Sequence, residues 1–175
     1  CTVRNYTNRF VYVSLSGKIE SLTIDDCIFI GADNSTTNKA IYASSAHTQV
    51  ETLSVTNSTF LNFNTGSNYF FRINCGEELV LMPVVLIDHC TFYNCYDRRG
   101  VYLYNAGRST IKNCISAFSE RRDDTKSFTA YGDESIVKNV ISYNVDLYGS
   151  APKENIISKN PLFVDAENGN FQLYK

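Results

Sequence analysis

The sequence contains no tryptophan, a single methionine and only three prolines. It also lacks the run of about 20 apolar residues that a membrane-spanning helix requires. Positive charge is not in excess either, because the formal net charge is -2. A chain without a positive field is not drawn electrostatically to nucleic acid or to anionic lipid. The sequence therefore predicts no nucleic-acid partner and no membrane span.

Helical periodicity is missing as well, since no segment of ten or more residues repeats its apolar positions every 3.6 residues. The leucine frame of a leucine-rich repeat is also missing. What is abundant instead is aromatic, with 12 tyrosines and 11 phenylalanines among 175 residues. These residues suit pleated surfaces. The composition favours one all-β domain with a sizeable core.

The six cysteines include no pair with the C-x2-C spacing of a zinc site. We therefore interpret most of them as small buried residues. One disulfide, or a metal-binding or catalytic role, are the alternatives, and the redox state of Cys75 and Cys95 stays open. The six positions are Cys1, Cys27, Cys75, Cys90, Cys95 and Cys114.

A six-residue phrase recurs along the chain, with a β-branched residue, a polar residue, an Asn-like residue and then a small residue. Successive copies begin 21, 31, 32, 24 and 26 residues apart. Variable spacing of 20 to 30-odd residues is typical of a β-solenoid whose loops differ in length. The copies begin at Val3, Ile24, Val55, Ile87, Ile111 and Val137.

Stacking of these copies predicts four columns of side chains. Asn tolerates left-handed backbone, so the third position should form a bend and a hydrogen-bonded ladder through Asn5, Asp26, Asn57, His89, Asn113 and Asn139. The fourth position should point inward, giving a column of Cys27, Ser58, Cys90, Cys114 and Val140. A second inward column should contain Phe29, Phe60 and Phe92. The outward column should contain Arg4, Asp25, Thr56, Asp88, Lys112 and Lys138, with an ion pair between Asp88 and Lys112.

A second strand follows in each coil, beginning at Ile41, Phe71, Val101 and Phe128. Alternation along these strands places their smaller or aliphatic residues inward. The outward residues should then share one outer face, made by Tyr42, Arg72, Tyr102, Tyr104 and Tyr131.

The repeated bend and the irregular coil length resemble the pectate-lyase-like superfamily of right-handed parallel β-helices. The tail, Asn160–Asp165 followed by Glu167–Leu173, resembles the closing segment of exported bacterial β-helix proteins, some of them chondroitinase-B-like. The resemblance implies about five to six coils over residues 1–158 and an irregular final coil with a hairpin or strand over 159–175. It also implies an extracytoplasmic location, with the targeting signal outside this chain. Because no cap precedes the first copy, we expect further N-terminal coils or another domain to cover it.

Lyases of that superfamily neutralise a uronate with calcium or cationic side chains and remove a proton with an Arg or Lys base. Two loops offer such cations, so the candidate catalytic residues are Arg98, Arg99, Arg121 and Arg122. The candidate substrate-binding residues are Arg72, Tyr102, Tyr104, Tyr131 and Lys126. No cofactor is expected: calcium is compatible with the resemblance, but the sequence identifies no metal ligand.

Each of these features also has a structural interpretation. The loop charges can pair with one another on the surface, and the tyrosines can simply cover the strand. Two functions therefore remain open at this point: binding or lyase-like processing of an acidic polysaccharide, and a non-catalytic structural or adhesin-like module of a larger surface protein. Whether the chain is an enzyme, either a polysaccharide lyase or a glycoside hydrolase, is open too.

Overall fold

The structure, a computed structural model, describes residues 1–4, 9–13, 17–31, 39–45, 49–66, 69–75, 83–97, 99–104 and 106–174. Within these ranges the chain forms twenty strands. The first ten are β1 (Thr2–Val3), β2 (Arg9–Val13), β3 (Lys18–Asp25), β4 (Ile28–Ile30), β5 (Lys39–Ser45), β6 (Gln49–Thr56), β7 (Thr59–Leu61), β8 (Asn64–Gly66), β9 (Phe71–Cys75) and β10 (Val84–Asp88). The others are β11 (Thr91–Tyr93), β12 (Tyr96–Asp97), β13 (Val101–Tyr104), β14 (Arg108–Ala117), β15 (Lys126–Ala130), β16 (Ile136–Tyr143), β17 (Asp146–Tyr148), β18 (Lys153–Ile157), β19 (Phe163–Asp165) and β20 (Asn170–Leu173).

Parallel pairing between coils builds the molecule. A ten-stranded sheet contains β3, β6, β10, β14, β16 and β18, together with the post-bend strands β1, β4, β7 and β11. A six-stranded sheet follows the order β17-β15-β13-β9-β5-β2, with one strand from each coil. The prediction of a parallel β-helix is therefore confirmed. No helix in the described ranges has the length and hydrophobicity needed to cross a lipid bilayer.

The bend between the two parts of the ten-stranded sheet lies where the repeated phrase predicts it. Each bend residue has a positive φ close to 50°, in Asp26, Asn57, His89, Asn113 and Asn139. A left-handed residue between two extended ones turns the chain sharply without interrupting its hydrogen bonds to neighbouring coils. A further bend that the sequence analysis missed lies at Asn155, with a φ of 49°.

The side-chain ladder is continuous only in the C-terminal coils. Asn155 donates a hydrogen bond to Asn139 Oδ1 (2.9 Å), Asn139 donates to Asn113 Oδ1 (3.1 Å), and Asn113 donates to Asp88 Oδ1 (2.9 Å). His89 interrupts the ladder because its ring is exposed and its Nδ1 contacts Asp88 Oδ1 at 2.7 Å. The amide ladder therefore ends on the neighbouring outward carboxylate.

The prediction that a first copy of the phrase begins at Val3 is wrong. Val3 pairs with Phe29 rather than with Ile24, so β1 is a post-bend strand and Arg4 does not belong to the outward column. Asn5 lies outside the described residues. The rest of the outward column is confirmed by register, and Lys112 Nζ lies 3.1 Å from Asp88 Oδ2, as expected.

The inward columns are confirmed. Phe29, Phe60 and Phe92 stack with ring centroids 4.9 Å apart and planes within 5° of parallel, because the coil spacing matches the preferred spacing of aromatic rings. Cys90 and Cys114 are buried free thiols in register with one another, while Cys27 is half-buried. Cys95 is buried and free as well, and the side chain of Cys75 lies outside the described residues.

The thiols also have a hydrogen-bonding role that size alone did not predict. The cysteines that follow a bend donate to the carbonyl oxygen two residues before them: for example, Cys27 donates to Asp25 at 3.2 Å, and Cys114 to Lys112 at 3.0 Å. Ser58 does the same with its hydroxyl, to Thr56 at 2.7 Å. The column therefore favours small side chains that also carry a donor, because this donor satisfies a carbonyl at the bend.

The tail forms an antiparallel hairpin of β19 and β20, joined by a 3-10 turn over Ala166–Asn168. Gly169 ends the turn with a φ of 82°, a conformation that favours glycine. The hairpin packs on the outward side of the post-bend strands, against Leu61, Tyr93 and Ala117. The hairpin therefore covers apolar side chains of the post-bend strands that would otherwise face solvent.

Candidate functional site

The outer face of the six-stranded sheet carries the residues that the sequence predicted there. Register places Tyr42, Arg72 and Tyr102 directly beside one another on β5, β9 and β13. Thr129 continues this row on β15, and Tyr12 on β2 extends it in the other direction. The row crosses the coils, so it runs along the axis of the solenoid.

Arg72 lies at the centre of this row, between three tyrosine rings. The centre of its guanidinium is 4.5 Å from the ring centroid of Tyr69 and 5.7 Å from those of Tyr42 and Tyr102. Its Nη1 donates a hydrogen bond to the Tyr42 hydroxyl at 3.1 Å. Its Nε is buried and has no hydrogen-bond partner in the described part of the chain. These contacts hold the guanidinium in one place.

Arg99 contacts the same tyrosines from the next coil. Its guanidinium lies 5.0 Å from the ring centroid of Tyr102 and 5.9 Å from that of Tyr69. The Tyr69 and Tyr102 rings stack with centroids 4.6 Å apart. Two guanidinium groups, those of Arg72 and Arg99, therefore flank one pair of stacked phenol rings.

The N-terminal end of the face repeats this chemistry. Arg9 lies 4.2 Å from the ring centroid of Tyr12 and 4.8 Å from that of Tyr42, and Lys39 Nζ lies 5.5 Å from the Tyr42 ring. The sequence analysis missed Arg9 and Tyr12, although the alternating Arg9–Val13 segment matches the pattern of the later second strands. It also missed Tyr69, which precedes β9 and carries no periodic pattern that could have predicted its position.

The C-terminal end is aromatic. Tyr102 and Tyr104 lie with centroids 5.8 Å apart in nearly parallel planes, and Tyr131 packs edge-on against Tyr104 at 5.2 Å. Beside them a cleft of about 230 Å³ is lined by Arg99, Asp124, Lys126 and Tyr148. We call the whole surface the arginine–tyrosine face, made by Arg9, Tyr12, Tyr42, Tyr69, Arg72, Arg99, Tyr102, Tyr104 and Tyr131.

The described side chains of this face are positively charged, and its arginines have no acidic partner among the described residues. Within the described side chains, no carboxylate oxygen lies within 4 Å of the guanidinium nitrogens of Arg9, Arg72 or Arg99. Burial raises the pKa of Tyr102 and of Tyr131, outweighing the opposing effect of the Arg99 charge. These two phenols therefore stay protonated at neutral pH.

Arg99 keeps its proton too. Burial alone would lower its pKa, but its interactions with Tyr69, Tyr102 and Tyr131 outweigh this effect and raise it. Arg99, Tyr102 and Tyr131 therefore stay protonated at neutral pH and do not act as proton acceptors.

The second predicted loop has a different environment. Arg121 donates to Asp123 at 3.2 Å and to Asp146 at 2.9 Å, and Lys126 Nζ lies 3.7 Å from Asp146. Arg121 thus takes part in the surface ion pairing that was the alternative interpretation of the loop. Arg122 is exposed. Arg98 lies outside the described residues, and Arg99 contacts the face.

The ranges that the structure describes contain no group of three or more His, Cys, Asp or Glu side chains that could hold an ion. Comparison of the chain with models of protein families and with curated proteins found no match. The geometry of the face therefore carries the functional argument by itself.

Proposed function

We propose that this chain binds an acidic polysaccharide along the arginine–tyrosine face. The observation that supports this most directly is Arg72, whose guanidinium is held between three tyrosine rings, with no carboxylate of the described side chains within 4 Å. A fixed, unneutralised guanidinium is suited to a carboxylate or sulfate group, which it can bind with two parallel hydrogen bonds. Because its position is already set, binding costs little further side-chain ordering.

The tyrosines supply the other half of the recognition. The rings and hydroxyl groups of the more exposed tyrosines, Tyr12, Tyr69 and Tyr104, offer both apolar contact for a sugar ring and donors for its hydroxyls. Six strands spaced about 4.8 Å apart span roughly 24 Å along the solenoid axis. The ligand that fits this geometry is an extended chain of several sugars, with its acidic groups beside Arg9, Arg72 and Arg99.

Binding is better supported than elimination. A lyase must remove a proton from the sugar, and a side chain does this well only when its pKa lies near the working pH. The pKa values of Tyr102, Tyr131 and Arg99 are all raised, which keeps each group protonated. In this proposal the chain acts outside the cytoplasm, as a module that holds the polymer. Lyase or hydrolase activity would need a base beyond these groups.

The test compares retention by acidic and neutral polymers. Affinity electrophoresis through gels containing polygalacturonate, alginate, chondroitin sulfate or neutral dextran should show retardation by at least one acidic polymer and not by dextran. Added salt should weaken it, because exposed charges are screened within about 10 Å at 0.1 M. Absorbance from a newly formed double bond in the same incubations would reveal lyase activity.

Two substitutions test whether the polymer binds at the arginine–tyrosine face. Arg72→Gln should weaken retention by about tenfold, equivalent to about 1.4 kcal/mol. Arg108→Gln is the matched control, because Arg108 is an exposed arginine at the start of β14, outside the face. Equal effects of the two substitutions would show that binding does not use this face. Failure of every acidic polymer to bind would favour the structural or adhesin-like module instead.

A further inference from the structure

A second cavity lies on the other side of the coil, between the C-terminal hairpin and the post-bend strands. The hairpin rings pack edge to face over Tyr93, with the Phe163 centroid 6.0 Å away and the Phe171 centroid 5.6 Å away. Phe163 and Phe171 are themselves 5.1 Å apart. These three rings pack the hairpin against the solenoid.

The cavity has a volume of about 380 Å³, within the usual range of about 300 to 1,000 Å³ for small-molecule sites. Aromatic side chains make up much of its wall, namely Tyr93, Phe118, Tyr143, Phe163 and Tyr174. Tyr174 is held beside the hairpin by its backbone N–H, which donates a hydrogen bond to Leu162 O at 3.0 Å. The walls thus combine residues from three strands of the solenoid, β11, β14 and β16, with rings from the tail.

Its charge is opposite to that of the arginine–tyrosine face. Asp165 and Glu167 line the cavity, and its described lining contains no Lys, Arg or His. Asp165 is held in place by Asn168, which donates from its side-chain amide at 2.9 Å and 3.1 Å to the two carboxylate oxygens. Glu167 is an exposed residue of the same turn. Two carboxylates and several aromatic residues therefore line the same cavity.

We propose that this cavity binds an organic ammonium ion, a cation with small apolar substituents on its nitrogen. Aromatic faces attract such cations electrostatically, and the attraction strengthens when the cation is partly removed from water. The carboxylates of Asp165 and Glu167 also attract the cation, over a longer distance. The site shares no lining residue with the arginine–tyrosine face, so it does not depend on polysaccharide binding.

Choline and its uncharged isostere 3,3-dimethyl-1-butanol make a matched pair of probes. They differ chiefly in the charge on one atom, so the ratio of their affinities measures the cation preference. Titration calorimetry on the complete chain should give an affinity for choline about tenfold higher. Equal affinities would mean that the cavity is only apolar and would overturn the proposal, as would the absence of choline binding at 50 mM.

Three substitutions test whether choline binds in this cavity. Tyr174→Leu should lower choline affinity several-fold without unfolding the chain, because Tyr174 is 64% exposed. Glu167→Gln should also lower it, whereas Glu154→Gln should not, since Glu154 is an exposed acid on β18 that does not line the cavity. If Glu154→Gln weakened choline as much as Glu167→Gln, the effect would be general charge attraction and the assignment of the site would fail. Retention on acidic polymers should be unchanged in all three variants.

Discussion

Substitutions of Asn139 test the left-handed bend, because here we expect the glycine variant to be more stable than the alanine variant, the reverse of the usual order. Its φ is 52°, in the left-handed region, and its side chain forms two ladder hydrogen bonds, at 3.1 Å to Asn113 and 2.9 Å from Asn155. Alanine at this position loses both hydrogen bonds and must also adopt an unfavourable backbone conformation. Glycine loses the same hydrogen bonds but adopts the left-handed conformation freely.

The magnitudes follow from these differences. Two exposed hydrogen bonds contribute about 0.5 kcal/mol each, at the low end of the usual range. Left-handed backbone costs alanine roughly 1–2 kcal/mol. Glycine loses about 0.5–1 kcal/mol more chain entropy than alanine when the protein folds. Both variants should therefore be less stable than the parent, and Asn139→Gly should be more stable than Asn139→Ala by about 0.75 kcal/mol, the middle of a range of about 0–1.5 kcal/mol.

The neighbouring residue provides the control. Lys138 lies in β16 with extended backbone, so Lys138→Ala should be more stable than Lys138→Gly by about 0.5–1 kcal/mol. Urea unfolding followed by circular dichroism measures all four variants, and thermal midpoints should move by about 2–4 °C per kcal/mol. The reasoning is refuted if alanine is as stable as glycine at position 139, because the left-handed bend would then impose no conformational cost.

Three other outcomes follow from the packing and charges. Phe60→Ala should lower the free energy of unfolding by about 3–5 kcal/mol, because Phe60 is buried between two stacked rings. Phe10→Ala should lower it by less than about 1 kcal/mol, because Phe10 is half-exposed. Equal losses in urea titrations would contradict the stacked column. A thiol reagent should modify exposed Cys1 at once, and unfolding should be needed before it modifies Cys90, Cys95 and Cys114; rapid labelling of these three in the native protein would show that the coils open. Burial alone would raise the pKa of Asp88, but its hydrogen bonds and the neighbouring positive charges outweigh burial and lower the pKa, so its contribution to stability is present above the ordinary value of 3.8 and is lost as pH falls through the lower folded value. Acid titration of stability should accordingly be shallower in Asp88→Asn, and an unchanged slope would remove this carboxylate from the account.

The local pattern was sufficient to predict the fold because a parallel coil repeats its environment. Each coil presents the same backbone positions to its neighbours, so the bend, the small donor and the inward ring recur as readable columns. The pattern failed where a residue did not resemble its column. The phrase at Val3 matched by composition but pairs as a post-bend strand, and the bend at Asn155 was missed because Lys153 replaces the β-branched first residue.

The amino-acid sequence by itself therefore determined the architecture, the inward columns and the outer row through Tyr42, Arg72 and Tyr102. Only the tertiary structure decided which charges are neutralised, because this depends on contacts between loops whose lengths differ from coil to coil. It pairs Arg121 with Asp146, leaves Arg72 among tyrosine rings, and brings in Tyr69 from outside any strand. It also folds the tail back over Tyr93, which creates a cavity between segments about 70 residues apart.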